Sequence, residues 1–249
     1  MADLEREIVR CRRCPRLVEW REQVGREKRR AYRAEIYWAR PLPGFGDERA
    51  RVLAVGLAPG AHGSNRTGRM FTGDASGDFL FPALFRAGFS SRPESVARDD
   101  GLELRGLFIT AVCRCVPPGN KPTPEEIRNC LPFLEEEIRL LGGLCGIVAL
   151  GKIAYDSLGR MYPVTEPGLS GMKIRPDGSK RRSPSGRPAF SHGRLWRIRR
   201  PAEDGGGPSW ILASYHPSRQ NTQTGRLTRA MFDRIWRTAR ALARTETGA

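Results

Sequence analysis

Apolar residues fall in short runs separated by longer polar stretches. "RVLAVGL" (51–57), "GLFITAVCRC" (106–115), "GIVALG" (146–151) and "WILASYHP" (210–217) are compact apolar runs, the pattern of strands buried on both faces. "RLWRIRR" (194–200) reads as a further strand, followed by a hairpin-type loop, "PAEDGGGP" (201–208). Helical patterns lie between them. Residues 1–35 form the first, and "DFLFPALFRAGF" (78–89) the second, kinked or begun near Pro82. "TPEEIRNCLPFLEEEIRLLG" (123–142) opens on a Thr cap, a Pro and two acids, and closes on Gly. "KIAYDSLGRM" (152–161) and the Arg-faced "LTRAMFDRIWRTARALAR" (227–244) complete the set. Strands alternating with helices predict an α/β fold: one domain over 1–249, with a central, mainly parallel sheet flanked by helices. No internal repeat is visible.

Three polar stretches each follow a predicted strand: "GLAPGAHGSNRTGRMFTGDASG" (56–77), "RCVPPGNKP" (114–122) and "HPSRQNTQTGRLT" (216–228). Ligands of parallel sheets bind beyond the carboxyl ends of strands, so the three converge on one rim. The first is 22 residues long with six glycines and cannot form a core of its own. It offers His62, Asn65, Phe71, Asp74 and Ser76; the third offers His216, Ser218, Asn221 and Gln223. No nucleophile stands beside an obvious base, no GxGxxG follows a strand, and "GLAPG" lacks the Gly-Lys-Ser/Thr ending of a phosphate loop. The set suits a pocket for a flat polar ring: Phe71 to stack, amides to hydrogen-bond, His216 to stabilise negative charge.

Charge points to the partner. Among 249 residues, 43 Lys and Arg against 27 Asp and Glu give +16, a field that favours polyanions such as nucleic acid. Of the 43, 38 are Arg, which a GC-rich genome also produces. Ten basic residues and one Asp lie between Gly171 and Arg200, including "GSKRRSPSGRP", an exposed basic loop inserted at about 171–188. No apolar run reaches the roughly 20 residues of a membrane span, and the charged start is no secretory signal. The expectation is a soluble cytoplasmic monomer.

The six cysteines are Cys11, Cys14, Cys113, Cys115, Cys130 and Cys145. A disulfide framework does not suit a chain of this size inside the cell. Cys11-x-x-Cys14 has chelating spacing, and a short loop can return Cys130, early in its helix, toward Cys115. Four thiolates suit zinc or an iron–sulfur cluster, and spacing alone leaves both open. Cys113 is the rival to Cys115 and is set aside on the expectation that a strand turns it to the opposite face. Cys145 reads as a small buried hydrophobe.

The first and third polar stretches together resemble the family 5 uracil-DNA glycosylases, B-type enzymes of thermophiles and many bacteria. With the cysteines, the resemblance covers nearly the whole chain; the basic loop and the "PAEDGGGP" turn are its least supported parts. It implies a [4Fe–4S] cluster on Cys11, Cys14, Cys115 and Cys130. It implies DNA carrying uracil or other deaminated bases as partner, and hydrolysis of the N-glycosidic bond after base flipping. His216 would donate to uracil O2, Asp74 position water or balance an oxocarbenium-like sugar, and Asn120 bond base or water. Asp74 and Asn120 also read as plain turn residues. Gly56, Phe71, Ala111 and Ser218 would bind the base. Arg219 and Gln220 stand where many such enzymes place a Leu wedge; Thr222, Thr224, Arg226 and Arg229 would meet phosphates. Family 4 relatives carry Asn where this chain has Ala111, which fits the broader range attributed to family 5, including hypoxanthine and xanthine. The rivals are a narrower family 4-type enzyme, a non-catalytic iron–sulfur module that binds nucleic acid, and a nucleotide-metabolising enzyme. Ala111 and "GLAPGAHGSNRTG" argue against the first, and the Phe71, Asp74, His216 set against the second. The third would need a phosphate loop or a pair of metal-binding carboxylates.

Overall fold

The computed structural model describes residues 1–162, 189–198 and 207–245. The basic segment at 171–188, most of the "PAEDGGGP" turn and the last two residues of "RLWRIRR" lie outside the described residues.

Two helices open the chain, α1 (Ala2–Arg10) and α2 (Pro15–Glu27), with the Cys-x-x-Cys pair in the turn between them. Six strands follow: β1 (Phe45–Gly46), β2 (Val52–Gly56), β3 (Leu107–Ala111), β4 (Gly146–Leu150), β5 (Leu195–Arg197) and β6 (Trp210–Ser214). They form one sheet in the order β1-β3-β2-β4-β6-β5. The four inner strands are parallel, and the two short edge strands are antiparallel. Every residue of the four inner strands is buried, as their continuous apolar runs require.

The remaining helices are α3 (Ser64–Thr67), α4 (Ala75–Arg86), α5 (Pro124–Leu140), α6 (Lys152–Met161), α7 (Arg219–Gln223) and α8 (Arg229–Thr245). One core layer joins α4 and α8 to the sheet through Leu80, Leu84, Phe232 and Trp236. The other joins α5 and α6 through Ile127, Leu134, Tyr155 and Leu158. Helix α5 starts on a complete capping box, Thr123 with Glu126. Helix α4 begins earlier than its apolar pattern predicts, because Asp74 caps it, and it carries Pro82 inside.

Strand β3 ends at Ala111, not at Cys115. Val112 and Cys113 still bond Gly56 and Leu57, but Arg114 then turns inward. Its guanidinium and the Glu137 carboxylate, each 1% exposed, form a buried pair at 2.9 and 2.7 Å. Glu137 also accepts from Thr110 Oγ1 at 2.6 Å and from the Gly44 amide at 3.1 Å. Residues two apart on a strand share a face, so alternation does not separate Cys113 from Cys115 and the argument against Cys113 fails.

Removing one partner of a buried pair leaves an uncompensated charge. Glu137→Ala should therefore lower unfolding free energy by about 3–5 kcal/mol, read by urea denaturation. A loss within the scatter of surface substitutions, about 0.5 kcal/mol, would show that the pair does not matter to the fold.

Candidate active site

The carboxyl ends of the inner strands meet at a cavity of about 370 Å³. The first polar stretch supplies Leu57, Ala58, Gly60, Ser64, Met70, Phe71, Asp74 and Ser76. The end of β3 supplies Ala111, the segment after it Gly119 and Asn120, and the segment after β6 supplies His216, Ser218 and Gln220. The three stretches converge as their positions after parallel strands require.

Phe71 is 7% exposed and holds a left-handed backbone, φ +54°. Its ring lies 5.8 Å from that of His216, tilted by 30°. Gly56 does not line the cavity; it lies beneath Phe71, where a Cβ would stand 2.8 Å from the ring. A Cβ at Gly77 would stand 1.9 Å from the Phe71 carbonyl oxygen. The preceding Arg69 is anchored by Asp100, with both side chains buried, and by Thr72 and Ser95. Burial opposes ionisation of Asp100. The Arg69 guanidinium and three backbone amides outweigh it and hold the carboxyl well below its ordinary value. This contribution to stability is full above the ordinary carboxylate range and is lost as pH falls through the folded value.

Asp74 accepts the Ser76 and Gly77 amides on Oδ1, at 2.9 and 3.2 Å. Its Oδ2 makes no hydrogen bond among the described residues. Burial raises the carboxyl above its ordinary value, against the lowering effect of the two amides. Cβ atoms at Gly60 and Gly63 would stand 2.9 and 2.1 Å from Oδ2. The glycines of the first stretch thus make room for the carboxylate and the Phe71 backbone. Asp74 thus both caps α4 and lines the cavity.

His216 follows β6, and its main-chain carbonyl accepts from Asn221 Nδ2 at 2.8 Å. Burial lowers the imidazole to about 4, so it is neutral at physiological pH. Asn120 is exposed at the mouth, in a left-handed turn, φ +57°. Arg219 and Gln220 open α7, and Gln220 reaches the cavity. Thr222 and Thr224 turn their hydroxyls back to helix carbonyls. Exposed Arg226 lies over the Tyr215 ring at 4.7 Å, and Arg229 is exposed at the start of α8. His62 bonds Tyr37, and Asn65 is buried against the Arg21 carbonyl; neither lines the cavity. Ser64 and Met70 do line it, and their place in the glycine-rich stretch was the one signal for them.

The four cysteines of the expected ligand set gather where α1, α2, α5 and the segment after β3 meet. Cys14 and Cys115 pack with Leu17, and Asn129 Nδ2 lies 3.5 Å from Cys14 Sγ. Cys115 and Cys14 each interact electrostatically with Cys11 and Cys130. Cys113, which the sequence set aside, shares a thiol hydrogen bond with Cys130. No group of three or more His, Cys, Asp or Glu among the described residues is drawn together tightly enough for a metal ion. Arg21, unmarked in the sequence, is 2% exposed and donates to Cys115 Sγ at 2.9 Å. Its Nε is buried with no hydrogen-bond partner among the described residues.

An aromatic face and a neutral imidazole, walled by glycine-spaced backbone at the rim of a parallel sheet, define a protein built to enclose a planar polar ring. The family described as Uracil DNA glycosylase superfamily matches residues 43–240. The chain is 52% identical over 236 residues to the type-5 uracil-DNA glycosylase of Thermus thermophilus, covering 95% of both chains. It is 47% identical over 242 residues to that of Mycobacterium leprae, covering 97% of this chain and 95% of the relative. The type-4 uracil-DNA glycosylase of Pyrobaculum aerophilum matches at 39% over 123 residues, covering 49% of this chain and 55% of the relative. The chain belongs to the uracil-DNA glycosylase superfamily, in its type-5 branch. It is a DNA glycosylase, a hydrolase that removes deaminated bases from DNA.

Gly63→Ala should displace the Asp74 carboxylate and cut base excision, whereas Gly142→Ala, whose Cβ meets nothing within 4 Å, should leave it unchanged. Equal rates for both variants, with the fold intact by circular dichroism, would remove Asp74 from the machinery.

Proposed function

We propose that this glycosylase extrudes uracil, and also hypoxanthine or xanthine, from DNA into the cavity beside Phe71 and His216, leaving an abasic site. The observation that carries the reading is that Phe71, with its ring against His216, lines one cavity together with His216 and Ala111. A duplex hides the glycosidic bond, and flipping costs a few kcal/mol, least for mispaired bases. The extruded base stacks on Phe71. As the C1′–N bond breaks, its electron pair passes to the base, and the neutral His216 donates a hydrogen bond to the developing oxyanion. Water attacks C1′. The free Oδ2 of Asp74 orients that water or balances charge on the sugar, with Asn120 at the mouth bonding base or water. Arg219 and Gln220 fill the space the base vacates. Thr222, Thr224, Arg226 and Arg229 face the phosphates. No helix among the described residues is long and apolar enough to cross a membrane. We take the enzyme to act as a monomer in the cytoplasm, at the nucleoid.

The [4Fe–4S] cluster belongs to the same reading, held by Cys11, Cys14, Cys115 and Cys130. Four thiolates around iron carry net negative charge, and the buried Arg21 guanidinium aimed at Cys115, with its Nε unpaired among the described residues, suits such a group. When bound, the cluster would tie α1 and α2 to α5 and the segment after β3. Purified protein should be brown and contain iron. Cys14→Ala should lose iron and stability, while Cys145→Ala keeps both. Colourless protein with stoichiometric zinc would overturn the assignment.

His216→Ala should slow uracil excision by about 10²–10³-fold, the usual loss for one oxyanion donor. DNA affinity should hardly change, because phosphate contacts dominate it. The imidazole should remain neutral down to about pH 4, read by NMR titration. Its folded value lies below the unfolded one, so its contribution to stability is present above the unfolded value of about 6.5 and is lost as pH falls toward 4. Protonation near pH 6.5 would exclude a buried neutral donor.

Substrate range tests the reading as a whole. A pocket that hydrogen-bonds a base rejects analogues that leave its buried groups unpaired. Ala111 is 1% exposed and offers a methyl group, which leaves nothing unpaired when a purine enters. On a panel of oligonucleotides with uracil, hypoxanthine, xanthine and thymine mispairs, the enzyme should excise uracil and at least one deaminated purine, faster from weaker pairs. Ala111→Asn should narrow the range toward uracil. Indifference to deaminated purines, or unaltered relative rates in the variant, would sink the argument.

A further inference from the structure

A second cavity, about 640 Å³, opens between α1 and the segment around Trp38. Six arginines line it, among them Arg10, Arg40 and Arg98, against two glutamates. Glu22 is committed to Arg12 at 2.7 Å, and Arg6 to Asp3. Arg10, Arg40 and Arg98 are exposed, and their guanidinium groups make no ion pair or hydrogen bond among the described residues. Two of them are nevertheless held in place. Arg98 lies 4.7 Å and Arg40 5.8 Å from the Trp38 ring, so a single indole positions both cations.

Trp38 is fixed to the base-binding loop. Its amide bonds the Arg66 carbonyl at 2.9 Å, the Ala39 amide bonds the Asn65 carbonyl at 3.0 Å, and a Cβ on Gly68 would touch its ring at 3.0 Å. These contacts lie on α3, whose Ser64 faces the base cavity. The basic groove and the base pocket therefore flank one short helix. Glu5 and the Arg12-paired Glu22 leave the cavity with an excess of positive charge, and guanidiniums that are positioned yet carry no carboxylate partner of their own suit phosphate oxygens, to which Arg donates two hydrogen bonds at once. Arg98 stacks on the indole, which favours backbone contact over base stacking there.

We infer that this groove binds the phosphodiester backbone of DNA away from the extruded nucleotide. It is a second contact that adds affinity without reading sequence. The inference rests on the chain being a DNA glycosylase and goes beyond its base pocket.

The test uses a uracil-free duplex, so that binding is read without excision. Fluorescence anisotropy over a salt series gives the slope of log affinity against log salt. Each lost phosphate contact lowers that slope by about 0.9, so Arg40→Ala with Arg98→Ala should lower it by about 1.8 and weaken binding by roughly tenfold at low salt. Arg40→Lys with Arg98→Lys should restore most of the slope. Single-turnover excision at saturating uracil-containing duplex should match wild type. Arg160→Ala with Arg237→Ala removes the same charge from exposed positions on α6 and α8 and should move the slope far less. An unchanged slope in the first pair, an equal change in the control pair, or a fall in saturating excision rate would each overturn the site. Absence of excision by wild type would instead strike the glycosylase reading, and the binding data would stand apart from it.

Discussion

One buried carboxylate ties the functional parts of the chain together. Glu137, on α5, receives two bonds from Arg114, one from Thr110 and one from the Gly44 amide. Thr110 stands next to Ala111, the cavity wall at the end of β3. Arg114 lies between Cys113 and Cys115, and Cys130 is two turns upstream of Glu137 on the same helix. Burying a carboxylate is tolerable only when its lone pairs are filled and an opposite charge is beside it. Those demands fix α5, the end of β3 and the chain before β1 in one arrangement. The arrangement that satisfies Glu137 also places the cavity wall at Ala111 and the neighbouring Cys113, Cys115 and Cys130, so these positions share one structural cause.

The glycine-rich stretch works by space more than by flexibility. Asp74 must cap α4 and keep Oδ2 open, and Phe71 must hold a left-handed backbone with its carbonyl against α4. Side chains at Gly60, Gly63 or Gly77 would occupy the volume these two residues need. Arg69, pinned by Asp100, then prevents the loop from relaxing away. A long polar turn at the end of a core strand is thus a rigid wall. Its rigidity comes from close backbone approach and one buried ion pair.

Much of this was legible in the sequence. Continuous apolar runs placed the four parallel strands, because burial on both faces leaves no alternation. Convergence of the three polar stretches followed from strand direction alone. Where the reading differed, a side chain outside its scope decided. "GLFITAVCRC" looks extended to Cys115, but Arg114 turns in to meet Glu137, 23 residues away in sequence. Cys113 therefore leaves the strand and reaches Cys130. Asp74 extends α4 backward past the apolar pattern, as capping residues do. Arg21 could not have been found: it is one arginine among 38, and only its burial beside Cys115 distinguishes it. The alternation that marks a strand carries no information about which long-range partner will end it.

The electrostatics divide binding from chemistry. The exterior carries +16, and such a field draws in a polyanion and is screened by salt. The interior of the base pocket follows the opposite rule. Burial removes the proton that would make His216 a cation and raises the Asp74 carboxyl. The base is neutral while the C1′–N bond is intact and gains negative charge only as that bond breaks. In the proposed mechanism a neutral donor gains most as negative charge develops on the base, and that difference between ground and transition state is what accelerates the step. Ala111 extends the same logic to recognition. In the proposed reading the methyl group of Ala111 sets no polar demand on the ring at its part of the wall. Discrimination then falls on which base leaves the duplex most easily, a property of the DNA more than of the pocket.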